Sequence, residues 1–380
     1  MNTDAFLVEA LRQAHLSLHL SAPNPHVGCV LVSAQGQVLG RGHTQQAGGP
    51  HAEVMALRDA AAQGQSSAGA TAYVTLEPCA HQGRTPPCCV ALVQAGVTRV
   101  VACVADPNPL VAGKGLAHLR AAGIAVELLP PSHPQAVAAR ELNIGFFSRM
   151  LRKTPWVRLK IAASLDGTTA LANGASQWIT SEAARADGHA WRARACAVLT
   201  GIGTVLQDDP RLNVRGIETP RQPTLVLVDS RLQMPLDAQI FQPSRPVWIY
   251  CAVPETTEAA AKQAALQARG ATVIHLPDAH PDPAQRKVDL PALLRDLAQR
   301  DINELHVEAG HKLNGSLLQA GLVDELLVYL APQLLGPGQG MAHLPALASL
   351  PGAGALEFTS VTQIGADVRL LARGVGRGQF

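Results

Sequence analysis

The sequence predicts two successive α/β domains, and three features carry that expectation. The chain is 380 residues long, beyond the usual reach of a single hydrophobic core. Short β-branched apolar runs alternate with amphipathic helical runs along its length, the pattern of layered α/β folds. The alternation breaks at "PPSHP", and after one more helix Pro155 stops that helix and a new strand pattern opens at once.

Taken in order, the first twenty residues carry Asp4 and Glu9 and place Phe6, Ala10, Leu11 and Ala14 on one helical face. That is an amphipathic helix, not the basic-then-apolar pattern of an export signal. Residues 27–32 read as a strand, 51–64 as a helix ended by Gly64, and 70–77 as a strand. A helix at 88–96, a strand at 97–106, a helix at 115–123 and a strand at 124–129 follow. Prolines at 130, 131 and 134 interrupt, and a single helix is expected over 135–150. Residues 151–155 are the expected linker, giving domains 1–150 and 151–380. The second half opens on a strand at 156–164. Further strands are expected at 196–201, 223–230, 247–253, 271–276, 304–310 and 325–332, with helices at 182–194, 255–269, 290–300 and 313–320.

Composition narrows the function. A formal net charge of +2 and the absence of a Lys/Arg run leave no electrostatic footprint for nucleic acid or an anionic membrane. No apolar run approaches the ~20 residues of a membrane span. The expected partner is a small molecule, and the expected location is the cytoplasm. Seven cysteines, an odd number in a long chain without an export signal, argue against a disulfide framework and for reduced thiols in metal or catalytic use.

Three of those cysteines crowd into "TLEPCAHQGRTPPCC", residues 75–89. His51 and Glu53 in "HAEV", with Cys79 and Cys88, supply one imidazole and two thiolates able to hold zinc with the fourth position open. An open position is a catalytic feature, because the metal lowers the pKa of a bound water to roughly 7. Glu53, two residues after His51, can reach that water without ligating the metal and serve as the proton shuttle. His-x-Glu followed by Pro-Cys and a later Cys is the signature of zinc deaminases. The eight residues between Cys79 and Cys88 exceed the usual two. "GRTPP" supplies a turn and a proline start for a helix whose first turn holds Cys88. Cys89 then points about a hundred degrees away. Isolated cysteines are usually small buried apolar residues, and Cys29, Cys89, Cys103, Cys196 and Cys251 are read so. His81 is a possible competing ligand, and a fourth ligand would favour a purely structural zinc module.

With "PNPHVGCVLV", "GHT", "GGPHAEV" and "DPNPLVAGKGLAHLRAAGI" beside it, this stretch resembles the deaminase half of the bifunctional riboflavin-biosynthesis deaminase/reductases. The resemblance implies a cytidine-deaminase-like αβα domain acting on a diaminopyrimidinone that carries a phosphoribosylamino group. It implies His51, Cys79 and Cys88 as zinc ligands, Glu53 as the proton shuttle, and Asn24 and His43 as substrate contacts.

In the second half, "TGIGTVL" lacks the third glycine and the acidic partner of a dinucleotide fingerprint, so a Rossmann reading is rejected. "EAGHKLNGS" instead offers Gly310, Asn314, Gly315 and Ser316 ahead of an apolar helix, a backbone nest suited to phosphates. Together with "KIAASLDG", "GASQWITSEAAR" and "GIGTVLQDDPRLNVR", it resembles the reductase half of the same family, a dihydrofolate-reductase-like α/β domain that uses NADPH to reduce the ribosyl group to ribityl. By that resemblance Ser176, Arg192, Leu212, Arg215 and Glu308 contact substrate. Ala162, Trp178, Thr204, Asp208, Ser230 and the loop Gly310, His311, Lys312, Leu313, Asn314, Gly315, Ser316 contact NADPH. Arg192 and Arg215 could form a fork for the substrate phosphate. Lys160 and Asp166 are candidate proton donors for the new hydroxyl, and a homo-oligomer is expected.

Overall fold

A computed structural model describes residues 3–80, 87–109, 111–254, 256–346 and 356–380. The chain forms two compact units: residues 1–153 with the terminal Phe380, and residues 154–379.

The first unit runs α1 (Thr3–His15), β1 (Gly28–Val32), β2 (Val38–His43), α2 (Ala52–Ala62), β3 (Thr71–Val74), α3 (Cys88–Gln94), β4 (Arg99–Ala102), α4 (Lys114–Ala121), β5 (Ala125–Leu128), α5 (Pro134–Leu142) and α6 (Ile144–Arg152). Its five strands lie in the order β2-β1-β3-β4-β5, with β1 antiparallel to both neighbours and β3, β4 and β5 parallel. All five residues of β1 are buried, as a central strand covered on both faces requires. Leu7, Ala10, Leu11 and Ala14 of α1 are buried, and Phe6 stacks on Tyr73 at 5.2 Å. Close packing of helix on strand depends on glycine: a Cβ at Gly28 would lie 1.9 Å from the Ala10 carbonyl oxygen.

The helix expected over 135–150 is two helices. Asn143 breaks it by turning its side chain to the chain before β1, accepting from the His26 N–H at 2.7 Å and donating to the His26 carbonyl at 2.9 Å. Strand β2 escaped the sequence reading because "VLGRGH" has two glycines and no clean alternation.

The second unit contains β6 (Trp156–Ser164), β7 (Thr168–Leu171), α7 (Glu182–Arg194), β8 (Ala197–Gly201), α8 (Ile202–Asp208), β9 (Thr224–Val228), β10 (Val247–Cys251), α9 (Thr257–Ala268), β11 (Ala271–His275), α10 (Leu290–Gln299), β12 (Glu304–Val307), α11 (His311–Gln319), β13 (Glu325–Ala331), β14 (Gly338–Gly340), β15 (Leu356–Ile364) and β16 (Asp367–Gly374). Nine strands form one sheet in the order β11-β10-β9-β8-β12-β6-β13-β16-β15, and β7 and β14 form a ribbon. The sheet is parallel except where β16 runs antiparallel to β13 and β15.

Register makes one face of this sheet polar. Arg158 on β6 pairs with Glu325 on β13 and His306 on β12, and Trp156 pairs with Glu304. Helix α7 covers that face. Arg158, 2% exposed, is bound to Glu304 at 2.8 Å and to Glu325, while Arg194 of α7 reaches Glu304 and Arg373 of β16 reaches Glu325. Buried charges are tolerated only when paired in this way. Among the described residues no helix is long and apolar enough to cross a membrane.

Candidate active sites

In the first unit the ends of three elements converge. His51 is the N-cap of α2, Cys88 opens α3, and Cys79 lies in the chain after β3. One ligand atom from each lies within 4.8 Å of the others. The His51 Nδ1 is 3.6 Å from Cys79 Sγ and 3.3 Å from Cys88 Sγ. Tetrahedral zinc with bonds of about 2.3 Å to sulfur and 2.0 Å to nitrogen places those atoms about 3.5 Å apart, so this donor set fits zinc.

The first turn of α3 holds Cys79: the Cys88 N–H donates to its sulfur at 3.3 Å and the Cys89 N–H to its carbonyl at 3.2 Å. Hydrogen bonding to the Cys88 thiol lowers Cys79 to about 4, while the same bond and burial drive Cys88 upward. A bound cation would hold both as thiolates. Cys89 is 1% exposed and belongs to the apolar core, as its position on the helix predicts. His81 lies outside the described residues.

Glu53 sits in the first turn of α2, 3% exposed. Burial, then the negative Cys79, raise its carboxyl to about 7, a value suited to accepting and returning a proton near neutral pH. The end of β2 packs on the start of α2, where a Cβ at Gly42 would lie 2.3 Å from the Ala52 carbonyl oxygen. His43 is thereby brought to the end of α2 that bears His51 and Glu53. Asn24 closes a turn onto Ser21, and no described contact links it to the three ligands.

Glu77 was not singled out from the sequence. Its carboxylate is 3% exposed and accepts from the backbone N–H groups of Asp106, Gly113, Gly115 and Leu116 at 3.2, 3.0, 2.9 and 3.2 Å. It fastens the chain bearing Cys79 to the N-terminal end of α4. Gly115 is needed there, since a Cβ would meet the Pro78 carbonyl oxygen at 1.9 Å. An acidic residue beside a cysteine motif carries no sequence signal for a partner some forty residues away.

In the second unit, residues from α7, β6, the chain after β12 and the loop after α8 converge. Arg192 grips Glu308 with two bonds, 2.7 and 2.9 Å, and donates to the Asn213 carbonyl at 2.5 Å. Lys160 Nζ lies 4.0 Å from Glu308. Burial raises the Glu308 carboxyl, but the Arg192 and Lys160 charges overcome it and hold it far below the usual carboxylate range. Burial, partly offset by Glu308, and then the Arg192 charge lower Lys160. The guanidinium of Arg192 is therefore largely committed within the protein rather than open as half of a phosphate fork. Arg215 is exposed and makes one side-chain bond, to Asn213 Oδ1 at 2.8 Å. Leu212 stands between them with φ +47°. Ser176 is half-buried on the segment before α7.

The 310–316 segment is not a loop. Helix α11 begins at His311 with Gly310 as its N-cap, and Asn314 and Gly315 are buried within it. Asn314 donates to the Met341 carbonyl at 2.9 Å. A Cβ at Gly315 would lie 2.0 Å from the His343 carbonyl oxygen. His311, Lys312 and Leu313 occupy the first turn, whose N–H groups have no intrahelical acceptor; Ser316 bonds back to Lys312. Thr204 of α8 is beside this N-terminus, 3.8 Å from where a Gly310 Cβ would be. Gly-lined helix ends at the carboxyl edge of parallel strands suit a dinucleotide phosphate, so the residues fit NADPH. Trp178 is 67% exposed with Arg185 over its ring at 4.6 Å, and Ala162 lies on β6. Asp208 ends α8, and Ser230, after β9, accepts from Val288 N–H at 3.1 Å. Asp166 is used structurally: it binds Ser164 and accepts from Leu335 and Gly336 N–H groups.

Comparison with known proteins agrees with both halves. Residues 1–104 match the family model for the cytidine and deoxycytidylate deaminase zinc-binding region, and residues 155–370 that for the RibD C-terminal domain. The riboflavin biosynthesis protein RibD of Escherichia coli is 45% identical over 97% of this chain and 99% of its own length. The solved RibD of Acinetobacter baumannii is 40% identical, with TM-score 0.85 over 98% of this chain and 99% of that one. A Thermotoga maritima structure described as a diaminohydroxyphosphoribosylaminopyrimidine deaminase and 5-amino-6-(5-phosphoribosylamino)uracil reductase is 30% identical, with TM-score 0.82 over 98% of both chains. With both matches on one chain and relatives aligned end to end, this protein belongs to the RibD family of riboflavin biosynthesis, bifunctional enzymes that join a zinc-dependent deaminase to an NADPH-dependent reductase.

Proposed function

We propose that residues 1–150 deaminate 2,5-diamino-6-(5-phosphoribosylamino)pyrimidin-4(3H)-one and that residues 151–380 reduce the ribosyl group of the product to ribityl, giving 5-amino-6-(5-phosphoribitylamino)uracil. The observation that carries the first assignment is the three-ligand set His51, Cys79 and Cys88 beside the buried Glu53. These three residues would hold zinc, which would supply a water activated at neutral pH. Glu53, buried beside these ligands, would pass on the two protons of the attacking water, one to the ring nitrogen next to the amino-bearing carbon and one to the departing amino group, so that water enters and ammonia leaves. Asn24 and His43 are assigned to the pyrimidine edge.

In the second half Gly310, the first turn of α11, Thr204, Asp208, Ala162, Trp178 and Ser230 would hold NADPH, which would supply the hydride. Lys160 is assigned as the donor for the nascent sugar hydroxyl: it is half-buried beside Glu308 and its pKa is lowered. Asp166 drops out because its oxygens serve Ser164 and two backbone N–H groups. Arg215 is the phosphate contact, with Ser176 and Leu212 around the sugar. Arg192 acts by holding Glu308. The near-neutral charge argues against nucleic acid. The exposure of Phe358 and Val361, 69% and 64%, on the edge strand β15 supports a homo-oligomer.

A coupled assay tests the reading: ammonia and NADPH are followed on the diaminopyrimidinone substrate with and without a chelator. Chelation stops ammonia release, whereas NADPH oxidation continues when the deaminated pyrimidine is supplied directly. Loss of NADPH oxidation on that second substrate in the presence of the chelator would defeat the division.

A further inference from the structure

His189 has no place in the assignments above, and from the sequence it is one polar residue on an exposed-looking helix. In the structure it is half-buried on α7, one turn before Arg192, on the side that faces the cluster of Lys160, Glu308, Arg192 and Arg215. Its Nδ1 lies 3.3 Å from Arg192 Nη1 and 3.3 Å from the backbone nitrogen of Arg215. Both neighbours are donors, since a guanidinium has no acceptor and a backbone nitrogen only an N–H. Nδ1 must therefore be the bare nitrogen and the ring proton sits on Nε2. Two further facts agree. The ring is surrounded by three cations, Arg192, Arg215 and Lys160, against one carboxylate, Glu308, and burial followed by those cations lowers its pKa to about 4.

We infer that His189, as the neutral Nε2–H tautomer, is a positioning residue for the reductase substrate site. Through Nδ1 it ties the loop carrying Leu212 and Arg215 to the helix carrying Arg192. The need for such a tie follows from the loop's geometry. Leu212 holds a left-handed φ of +47° and Asp209 one of +39°, conformations that L residues keep only when their surroundings enforce them. Arg245 holds the near end, donating to the carbonyls of Arg211 and Leu212. Asn213 is held by Arg192 through its carbonyl. Beyond Asn213, His189 is the acceptor for the Arg215 N–H, so it sets where the Arg215 guanidinium starts. It also takes one of the four Arg192 N–H bonds that are made within the protein, the others going to Glu308 and Asn213. With Val214 held by Gln222, a protonated or apolar group at this place would leave that N–H and the Arg215 N–H unmet and release the loop at Arg215.

The inference rests on Arg215 being the phosphate contact, and the experiment separates the two. Full-length holoenzyme is assayed with NADPH and 5-amino-6-(5-phosphoribosylamino)uracil. Asn can place an amide oxygen where Nδ1 lies, whereas Gln and Leu cannot. His189→Gln and His189→Leu are expected to raise KM for the pyrimidine about tenfold or more while KM for NADPH stays within about twofold, and His189→Asn to recover most of the loss. NADPH binding measured by fluorescence shows that each variant is folded. Should Leu misfold, the Asn and Gln pair carries the test alone. Equal KM values for Asn and Gln, or a Gln variant like the wild type, overturn the positioning role. Arg215→Ala is the reference: if it raises the pyrimidine KM and His189→Gln does not, only the His189 inference fails, and if it leaves that KM unchanged the phosphate assignment itself fails.

Discussion

Glu53 combines a carboxylate's chemistry with a histidine's pKa. Its first-turn position on α2 would favour the charged form through the helix dipole, yet burial dominates and moves it to about 7. Glu53→Gln keeps the shape and removes the exchangeable proton, so ammonia release should fall by at least about a hundredfold while bound zinc, read by atomic absorption, stays near one per chain. Wild-type turnover in that variant would mean another group moves the proton. The neighbouring cysteines separate as sharply. Cys88→Ser should lose zinc, whereas Cys89→Ser, altering a core residue, should keep it and lose only about 1 kcal/mol of stability; equal zinc content in the two would undo the ligand assignment. The ligand set was legible in the sequence because His, Glu and Cys at those spacings have few other uses. Glu77 and His189 were not, since their partners, backbone N–H groups and for His189 also the Arg192 guanidinium, are brought close only by folding.

Among the elements, the polar face under α7 is where composition misleads. Arg158, Glu304 and Glu325 are charged, yet β6, β12 and β13 are central strands, and the residues pair beneath a helix. Strands β15 and β16 escaped prediction for the opposite reason: their faces are largely exposed or half-buried, so hydrophobic periodicity is weak. Helix α8 was hidden by the glycines of "GIGTVL". The buried face also fixes a pH response. Burial tends to raise Glu304, but the Arg194 and Arg158 charges prevail and hold it at about 2, against an ordinary 4.5. A folded value below the unfolded one means the contribution is complete above about 4.5 and is lost as pH falls toward 2, worth roughly 3 kcal/mol. Glu308 and Glu325 shift in the same direction. Thermal unfolding of the second unit, followed between pH 6 and 2, should show Tm falling through that window. Glu304→Gln should have a lower Tm at pH 6 and a shallower fall, by about one linked proton; an unchanged slope would show that Glu304 does not stay ionised in the folded state.

At the scale of the whole molecule, the described residues of each candidate site lie within one unit. His51, Cys79 and Cys88, Glu53, and Glu77 with its four donors all lie within residues 51–116. The Arg192, Glu308 and Lys160 cluster and the N-terminus of α11 lie within 160–316. A chain ending at Lys153 should therefore release ammonia from the diaminopyrimidinone and oxidise no NADPH. It forgoes the contacts of Phe380 with the first unit, among them packing 5.9 Å from Phe147 and beneath Arg152. A partly exposed aromatic contact of this kind is worth about 1 kcal/mol, small beside a core built on five strands. The truncated chain should thus unfold a few degrees lower than the same unit in the full chain but keep its zinc and its turnover. NADPH consumption by it would place reductase residues in the first unit. Loss of ammonia release from a truncated chain that is folded and holds zinc would show that deamination needs groups beyond residue 153.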